Sequence, residues 1–172
     1  ILMCHQSTFL QRRLLMHLNN SRMEISVEQI KALREETGVS IGKCKEVLTE
    51  ANGDMDKARE LLRDISAKAA AKKSDREIGA GVVQAYIHSN NSIGVLIKLA
   101  CETDYVARNE DFIHLAGDIA MHIAAMGTET TEELLEQPFV KNPDVTIGKL
   151  IEEAVLKIGE RIEVAEFVRF AV

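Results

Sequence analysis

The sequence of 172 residues contains no Trp, two Tyr and five Phe, so its core must be built mainly from aliphatic side chains. Two Pro and ten Gly exclude collagen-like and proline-rich chains. No apolar run approaches the roughly 20 residues that cross a bilayer, and we therefore expect no membrane segment. The remaining composition, 46% hydrophobic and 28% charged, is typical of a globular protein with one medium domain or two small ones.

Cysteine is also scarce, and acidic residues outnumber basic ones. Cys4, Cys44 and Cys101 lie far apart, without the Cys-x-x-Cys or Cys/His spacing of a zinc site and without the pattern of a disulfide framework. We therefore expect no metal and no cofactor.

The formal net charge is −6 at pH 7, whereas a general nucleic-acid binder needs a basic surface to neutralise phosphates. We expect no direct nucleic-acid partner, and we interpret the short basic stretch 68–73 as the solvated end of a helix.

Residues 1–22 differ from the rest because they contain three Arg and no acid. The chain opens with Ile1, and a clear helical pattern starts only after Met23. We expect residues 1–22 to be a disordered non-native or targeting extension that takes no part in the core. One interpretation is an upstream stretch foreign to the native protein, which fits a bacterial cytoplasmic location. The alternative is part of an organelle transit peptide, which fits the mitochondrial matrix.

Three helix patterns fill residues 23–76, which we predict to be a small helical domain and its linker. Ser26 is typical of an N-cap and Gly38 of a C-cap for the first helix. The second pattern runs over 41–51, and the third begins after Asp54, another natural N-cap. Three short helices of this length make a compact but marginal bundle.

The loop between the first two helices carries two apolar residues, Val39 and Ile41, with a glycine on either side. These residues either plug the end of the helix bundle or form an exposed apolar tip that binds a partner helix, since loops on rigid scaffolds often carry binding residues. The sequence leaves both interpretations open. Cys44, in the second helix, is interpreted as a buried small apolar residue rather than a nucleophile.

Residues 77–172 predict a larger α+β core domain. Residues 82–88 and 93–101 alternate between apolar and polar around a Ser/Asn turn, the pattern of a β-hairpin. The other predicted elements are a long helix after Asn109, a short helix after Thr130, a helix after Thr146 and a strand over 162–170. The sum is a three-stranded, largely antiparallel sheet packed with helices. Because three strands leave two unpaired edges, we expect a homodimer.

The sequence shows no recognisable set of catalytic residues. Cys101 and His114 could be considered as a nucleophile and a base, but Cys101 falls on the apolar face of a strand, His114 lies off the apolar stripe of the next helix, and no signature links the two. His114 and His122 are two helical turns apart, which is too far for one metal ion, and we expect both at the surface. We therefore expect that the protein is not an enzyme.

One segment, Cys101-Glu-Thr-Asp-Tyr-Val-Ala-Arg-Asn109, joins a predicted strand to a helix and presents a carboxylate beside a large aromatic ring. In one interpretation, Asp104 is a turn acid and Tyr105 packs on its own domain. In the other, the pair is displayed for insertion into a partner, since Tyr combines a large apolar area with few rotatable bonds.

Two separated stretches resemble the family of translation elongation factor Ts, the guanine-nucleotide exchange factor for elongation factor Tu. Residues 33–48 (LREETGVSIGKCKEVL) and 50–55 are similar to the family's N-terminal ubiquitin-associated-like helical domain. Residues 101–108 (CETDYVAR) resemble the family's Thr-Asp-Phe-Val signature after a strand. The resemblance runs from about Met23 to the C-terminus and is closest to the short family members, which have a single core.

Three departures from the family's pattern stand out. Tyr105 lies where the family usually has Phe, and Lys98 and Ala100 replace a Glu and an Asn that commonly precede the signature. Ile41-Gly42 replaces a bulky apolar pair in the first loop. A Tyr hydroxyl needs a polar partner in a pocket made for Phe, or it costs roughly 1–3 kcal/mol there.

The resemblance implies a function and a set of site residues. A GTPase holds GDP through phosphate contacts and Mg²⁺, and the family's signature would wedge into elongation factor Tu near that ion and promote GDP release. Carried over to this sequence, the wedge is Thr103, Asp104, Tyr105 and Val106. The helical domain would bind the same partner through Arg34, Val39 and Ile41. The resemblance to short members also favours a homodimer, in which two copies supply two cores.

Two alternatives of other classes remain. The first is a binding module whose helical domain recognises a helical ligand without exchange activity. The second is a cysteine hydrolase that uses Cys101, which no sequence signature supports. The first would retain partner affinity without the core domain, and the second would lose activity when Cys101 becomes Ser.

Overall fold

A computed structural model describes residues 25–172, so the predicted extension 1–22 and Cys4 lie outside the described residues. Contacts within the chain group into two compact units that divide between Arg59 and Glu60, inside the third helix. The predicted boundary after residue 76 stays a prediction. None of the helices in residues 25–172 combines the length and the apolar character needed to cross a membrane.

The first unit consists of α1 (Val27–Thr37), α2 (Ile41–Glu50) and the start of α3 (Met55–Ala71). The Ser26 hydroxyl accepts a hydrogen bond from the Gln29 N–H, and the Gln29 side chain accepts one from the Ser26 N–H, each at 3.1 Å. This capping box fixes where α1 begins, and Gly38 ends the helix with a left-handed φ of 67°. The fully buried residues of this unit are Leu33, Cys44, Val47, Leu48 and Ala58.

The second unit contains a three-stranded antiparallel sheet in the order β1–β2–β5, made of β1 (Ala80–Ile87), β2 (Ile93–Cys101) and β5 (Ile162–Ala171). Gly81 lies opposite Ala100, and a side chain at Gly81 would come within 2.5 Å of the Leu99 carbonyl oxygen. A bulge at Ala165 shifts the register, because Lys98 pairs with Glu166 whereas Leu99 pairs with Val164.

Helices cover one face of this sheet. Val95, Ile97 and Leu99 point from β2 into a core that also contains Phe112 and Ile119. The other elements of the unit are α4 (Asp104–Ala107), α5 (Glu110–Met126), α6 (Thr131–Glu136), β3 (Pro138–Phe139), β4 (Asn142–Thr146) and α7 (Ile147–Ile158). Residues 25–172 thus form seven helices and five strands, which confirms the predicted α+β fold class. The small hairpin of β3 and β4 and the short helix α4 were not predicted.

The prediction that His122 lies at the surface is wrong. The His122 ring is fully buried, Nδ1 lies 3.3 Å from the Val140 backbone nitrogen, and Nε2 lies 3.0 Å from Gln137 Oε1. Since a backbone N–H only donates, Nδ1 accepts and the ring proton is on Nε2, which donates to Gln137. The β3–β4 hairpin encloses this part of α5 and adds the Phe139 ring, at 6.1 Å between ring centroids. His114 is exposed, as predicted.

The opposite face of the sheet is also apolar. Alternation along β1 leaves Val83 68% exposed, and Phe170 on β5 is 65% exposed. We call the following five residues the outer sheet face: Val83, Ile87, Leu96, Val168 and Phe170. Large exposed apolar patches mark interaction sites more often than scattered single residues do, so this face needs an explanation beyond the monomer's own core.

Candidate functional site

The strand-to-helix corner at residues 101–109 is built by a helix cap. Thr103 is extended, with φ −129° and ψ 153°, and its hydroxyl oxygen accepts a hydrogen bond from the Val106 N–H at 3.4 Å. The Thr103 carbonyl accepts another from the Ala107 N–H at 3.1 Å. Asp104 and Tyr105 are therefore the first two residues of α4, at the point where the chain turns away from β2.

The four residues of the predicted motif differ in exposure. Tyr105 is 84% exposed and Asp104 is also exposed, whereas Val106 is 4% exposed and belongs to the core. Asp104 and Tyr105 line a shallow surface depression together with Arg108 and Asn109. The corner therefore displays an acid and an aromatic ring, Val106 anchors the turn to the core, and Thr103 shapes it.

Two carboxylates from different parts of the chain hold this corner. Glu160 Oε2 accepts hydrogen bonds from the backbone N–H groups of Glu102 (3.1 Å) and Thr103 (3.0 Å), and Glu160 Oε1 accepts one from the Thr103 hydroxyl (2.7 Å). In return, Glu102 Oε1 accepts from the Arg161 backbone N–H at 2.6 Å, and the Arg76 guanidinium lies 3.2 Å away. We call Glu102 and Glu160 with these partners the carboxylate clasp.

The clasp has an electrostatic consequence at Glu102. The hydrogen bond from the Arg161 N–H is the largest effect on Glu102 and lowers its pKa. Burial opposes it, and the Arg76 guanidinium adds to the lowering. Glu102 is thus a carboxylate at neutral pH. Sequence reasoning missed both acids, because 58 residues separate Glu102 from Glu160 and only the pairing of β2 with β5 brings them together.

Cys101 lies beneath the corner and is fully buried, with its sulfur 3.3 Å from the Thr103 carbonyl oxygen. Burial raises the pKa of the Cys101 thiol, and the negative charges of Glu160 and Asp104 act in the same direction. A higher thiol pKa leaves less of the thiolate, which is the nucleophilic form. This environment disfavours the cysteine hydrolase alternative.

The three predicted binding residues of the helical unit also differ in exposure. Ile41 is 55% exposed at the first position of α2, and Arg34 is exposed on α1. Val39 is only 8% exposed, and its carbonyl oxygen lies 3.6 Å from the Cys44 sulfur. The structure therefore buries Val39 against its own unit, as the first interpretation of this loop expects, and exposes Ile41, as the second interpretation expects.

Residues 25–172 contain no group of three or more His, Cys, Asp or Glu side chains arranged to hold a metal ion. The corner itself exposes one acidic side chain and one large aromatic ring on a capped backbone turn.

Comparison with known proteins points to one family. A family model described as Elongation factor TS matches residues 56–133, a range that includes the corner. Elongation factor Ts of Acetivibrio thermocellus is 40% identical, with 85% of this chain and 89% of that protein covered. Elongation factor Ts of Fervidobacterium nodosum is also 40% identical, with 87% and 99% covered. Elongation factor Ts of Desulforamulus reducens is 40% identical, with 86% and 88% covered.

Proposed function

Because the chain belongs to the elongation factor Ts family and hence to the factors of translation elongation, we propose that it is a guanine-nucleotide exchange factor for elongation factor Tu. The observation that carries the proposal is the display of Asp104 and the 84% exposed Tyr105 on a capped strand-to-helix corner. An exposed aromatic side chain beside a charge is suited to insertion into a partner's pocket.

The proposed mechanism is mutual weakening of two ligands. Asp104 and Tyr105 insert near the Mg²⁺ and phosphate site of the GTPase and disturb the groups that hold GDP, since a GTPase binds its nucleotide chiefly through those contacts. By linkage, the factor lowers nucleotide affinity by the same ratio as the nucleotide lowers factor affinity. GDP leaves faster, and GTP later expels the factor. No covalent bond breaks, so the step needs no nucleophile and no general base.

The direct test is release of a fluorescent GDP analogue from purified elongation factor Tu. We expect the release rate to rise with the concentration of this protein and to saturate. A release rate that is the same with and without the protein, although a pulldown shows binding, would reject the exchange function and favour the binding-module alternative.

The binding-module alternative is favoured by one observation, the exposed Ile41 on the helical unit. We propose that this unit, which resembles the ubiquitin-associated domains, contributes binding through Ile41 and Arg34 while Val39 supports the loop from beneath. The alternative predicts that partner affinity survives any change at the corner. The exchange function predicts that affinity and release both depend on Asp104 and Tyr105.

The two apolar loop residues give opposite expected results. Ile41→Ala is expected to raise the half-saturating concentration for GDP release about fivefold, because an exposed anchor at an interface contributes about 1 kcal/mol or more. Its thermal stability should stay unchanged. Val39→Ala removes buried methyl groups and should lower the melting temperature. Titrated release assays and thermal melts measure both effects.

Val27→Ala serves as the control for Ile41→Ala, since Val27 is 60% exposed in the same unit. It should leave both the release titration and the melting temperature unchanged. Equal half-saturating concentrations for Ile41→Ala and Val27→Ala would remove Ile41 from the binding surface.

The outer sheet face supports the further proposal of a homodimer. Val83, Ile87, Leu96 and Phe170 expose between 45% and 68% of their surface on one side of the sheet. Two such faces can pack against each other about 10 Å apart, as in a β-sandwich, and a two-fold axis makes one patch self-complementary. This arrangement uses the face of the sheet, whereas the sequence suggested pairing at its edge.

Phe170→Asp is expected to convert the dimer to a monomer, because a charge placed in an apolar interface loses its hydration without gaining a partner. Light scattering after gel filtration gives the mass directly. Val140→Asp is the control, since Val140 is 43% exposed and lies between β3 and β4, outside the three-stranded sheet. A wild-type protein that is monomeric at tens of micromolar would rule out the dimer.

We propose that the protein acts in the cytoplasm of a bacterium, where elongation factor Tu would meet it. The mitochondrial alternative depends on residues 1–22, which lie outside the described residues. Intact-mass measurement of the protein from its native source would test whether that segment is present in the mature chain. Direct binding of nucleic acid is not part of the proposed function.

A further inference from the structure

The short helix that displays Asp104 and Tyr105 cannot be stable on its own. α4 has four residues, and the first turn of a helix is costly because several residues are fixed for one hydrogen bond. Its geometry therefore depends on the cap that precedes it. That cap is Thr103, and Thr103 is held by a residue 57 positions away in the chain, Glu160.

Glu160 determines how the cap is oriented. The Thr103 hydroxyl has one hydrogen, which it donates to Glu160 Oε1 at 2.7 Å, so that its lone pairs are free to face the Val106 N–H. Glu160 Oε2 simultaneously accepts the N–H groups of Glu102 and Thr103 at the end of β2. One carboxylate thus satisfies three donors at the point where the strand becomes the helix.

Glu160 itself lies on a defined support. It follows Gly159, which ends α7 with a φ of 93°, and it precedes β5, which pairs with β2. The neighbouring Arg161 completes the carboxylate clasp, since its backbone N–H binds Glu102 and its guanidinium binds the Arg76 carbonyl oxygen at 2.6 Å. The corner is therefore connected to α7 and β5 by charge-assisted hydrogen bonds, which are the stronger kind.

We infer that Glu160 is a positioning residue that holds Asp104 and Tyr105 in the conformation that binds the partner. The inference rests on the proposed exchange function and deepens it. Without the Glu160 carboxylate, the corner samples other conformations and only a fraction of the molecules is ready to bind. The apparent dissociation constant then rises by the inverse of that fraction. Once the complex forms, Asp104 and Tyr105 occupy the same positions in the variant as in the wild-type complex.

This mechanism predicts a separation of two kinetic quantities. Glu160→Gln keeps the size of the side chain but replaces one acceptor oxygen with an NH₂ donor, so the three donors of the corner cannot all be satisfied. In the full chain, the half-saturating concentration for GDP release should rise about tenfold, since hydrogen bonds to a charged group are lost. The release rate at saturation should stay within about twofold of wild type.

Four further variants test the same inference. Glu163→Gln is the matched control, because Glu163 lies only three residues further along, in β5, and its carboxylate accepts a hydrogen bond from the Arg161 guanidinium at 2.6 Å instead of from the three donors of the corner. It should behave as wild type. Thr103→Val, which lacks the hydroxyl, should reproduce Glu160→Gln. Thr103→Ser keeps the hydroxyl and should therefore raise the half-saturating concentration less than Thr103→Val does. Glu160→Gln combined with Thr103→Val should add little to either change, because both remove the same hydrogen bond.

Amide hydrogen exchange measured by NMR on the isolated protein gives an independent result. The Glu102 and Thr103 amides should exchange about tenfold faster in Glu160→Gln than in wild type, while core amides of α5 stay protected. Unchanged half-saturation in Glu160→Gln, or a fall in the saturating rate alone, would overturn the inference. A wild-type protein without exchange activity would reject the proposed function, whereas unchanged amide protection in Glu160→Gln would reject the positioning role itself.

Discussion

The double substitution Asp104→Ala and Tyr105→Ala is expected to lower the efficiency of GDP release, the saturating rate divided by the half-saturating concentration, by about 100-fold or more. The reason is that the central anchors of an interface carry most of its binding energy. The saturating release rate should fall as well as the affinity, since these two side chains are proposed to disturb the nucleotide site directly. The measurement is a titrated release assay with elongation factor Tu and a fluorescent GDP analogue.

The fold should survive this double change. Tyr105 is 84% exposed and Asp104 is exposed, and substitutions at such positions usually alter stability by about 0.5 kcal/mol or less. Met126→Ala is the control, since Met126 is 51% exposed at the far end of α5, roughly 24 Å along the helix. Wild-type release by the double variant, with an unchanged circular dichroism spectrum, would show that the corner is not the exchange site.

A conservative substitution separates the ring from its hydroxyl. Tyr105→Phe keeps the exposed aromatic ring and restores the residue usual in the family, so we expect exchange at least as fast as in wild type. An apolar pocket would favour Phe by roughly 1–3 kcal/mol. A large loss in Tyr105→Phe would instead indicate that the hydroxyl makes a hydrogen bond to the partner, and would assign a specific role to the departure from the family's pattern.

The sequence predicted most of the secondary structure because its helices carry clear start and stop residues. Ser26, Asn109, Thr130 and Thr146 cap the helices that follow them, and their side chains accept hydrogen bonds from the first turn in the structure. The alternation in 82–88 and 93–101 gave the hairpin for the same kind of local reason. Such signals act within a few residues, so they can be recognised without knowing the fold.

Several features that depend on contacts between distant residues were not predicted. The carboxylate clasp joins Glu102 to Glu160, and no local sequence pattern predicts that two acids 58 positions apart lie close together. Which face of the sheet packs inward was not predicted either, since apolar side chains occur on both faces of β1 and β2, such as Val82 and Val83 in β1. The exposure of Tyr105 and the burial of Val39 likewise follow from tertiary packing, and the sequence left both open.

The burial of His122 is another consequence of contacts between distant residues. Its position on α5 reads as a surface residue, but the β3–β4 hairpin encloses it and supplies the Val140 N–H as a donor to its ring. His122 Nε2 donates to Gln137 Oε1, which also accepts the Thr128 hydroxyl at 2.7 Å. His122→Ala would leave a cavity and remove one partner from Val140 and one from Gln137. We expect a loss of at least about 3 kcal/mol in the free energy of unfolding.

His114→Ala is the matched control for this loss, since His114 is exposed on the same helix and its substitution should change stability by about 0.5 kcal/mol or less. Urea denaturation followed by circular dichroism gives both values. Equal denaturation midpoints for His122→Ala and His114→Ala would mean that the buried hydrogen bonds of His122 contribute nothing measurable to folding.

The same histidine should make stability depend on pH. Burial lowers the pKa of His122, and a second ring proton would lie on Nδ1, facing the Val140 N–H that Nδ1 now accepts. The unfolded chain binds that proton near the ordinary value of about 6.5, so the stabilisation is complete above this pH and is lost as the pH falls towards the lower pKa of the folded state. The urea midpoint of the wild-type protein should therefore be lower at pH 5.5 than at pH 7.5.

Other groups also titrate. Glu102 titrates below this pH range because its pKa is lowered, and Glu153, whose pKa is raised by burial, changes stability with pH in the opposite direction. The difference in urea midpoint between wild type and His122→Gln isolates the contribution of the histidine, because glutamine does not titrate. An identical pH dependence of the midpoint in the two proteins would contradict the prediction.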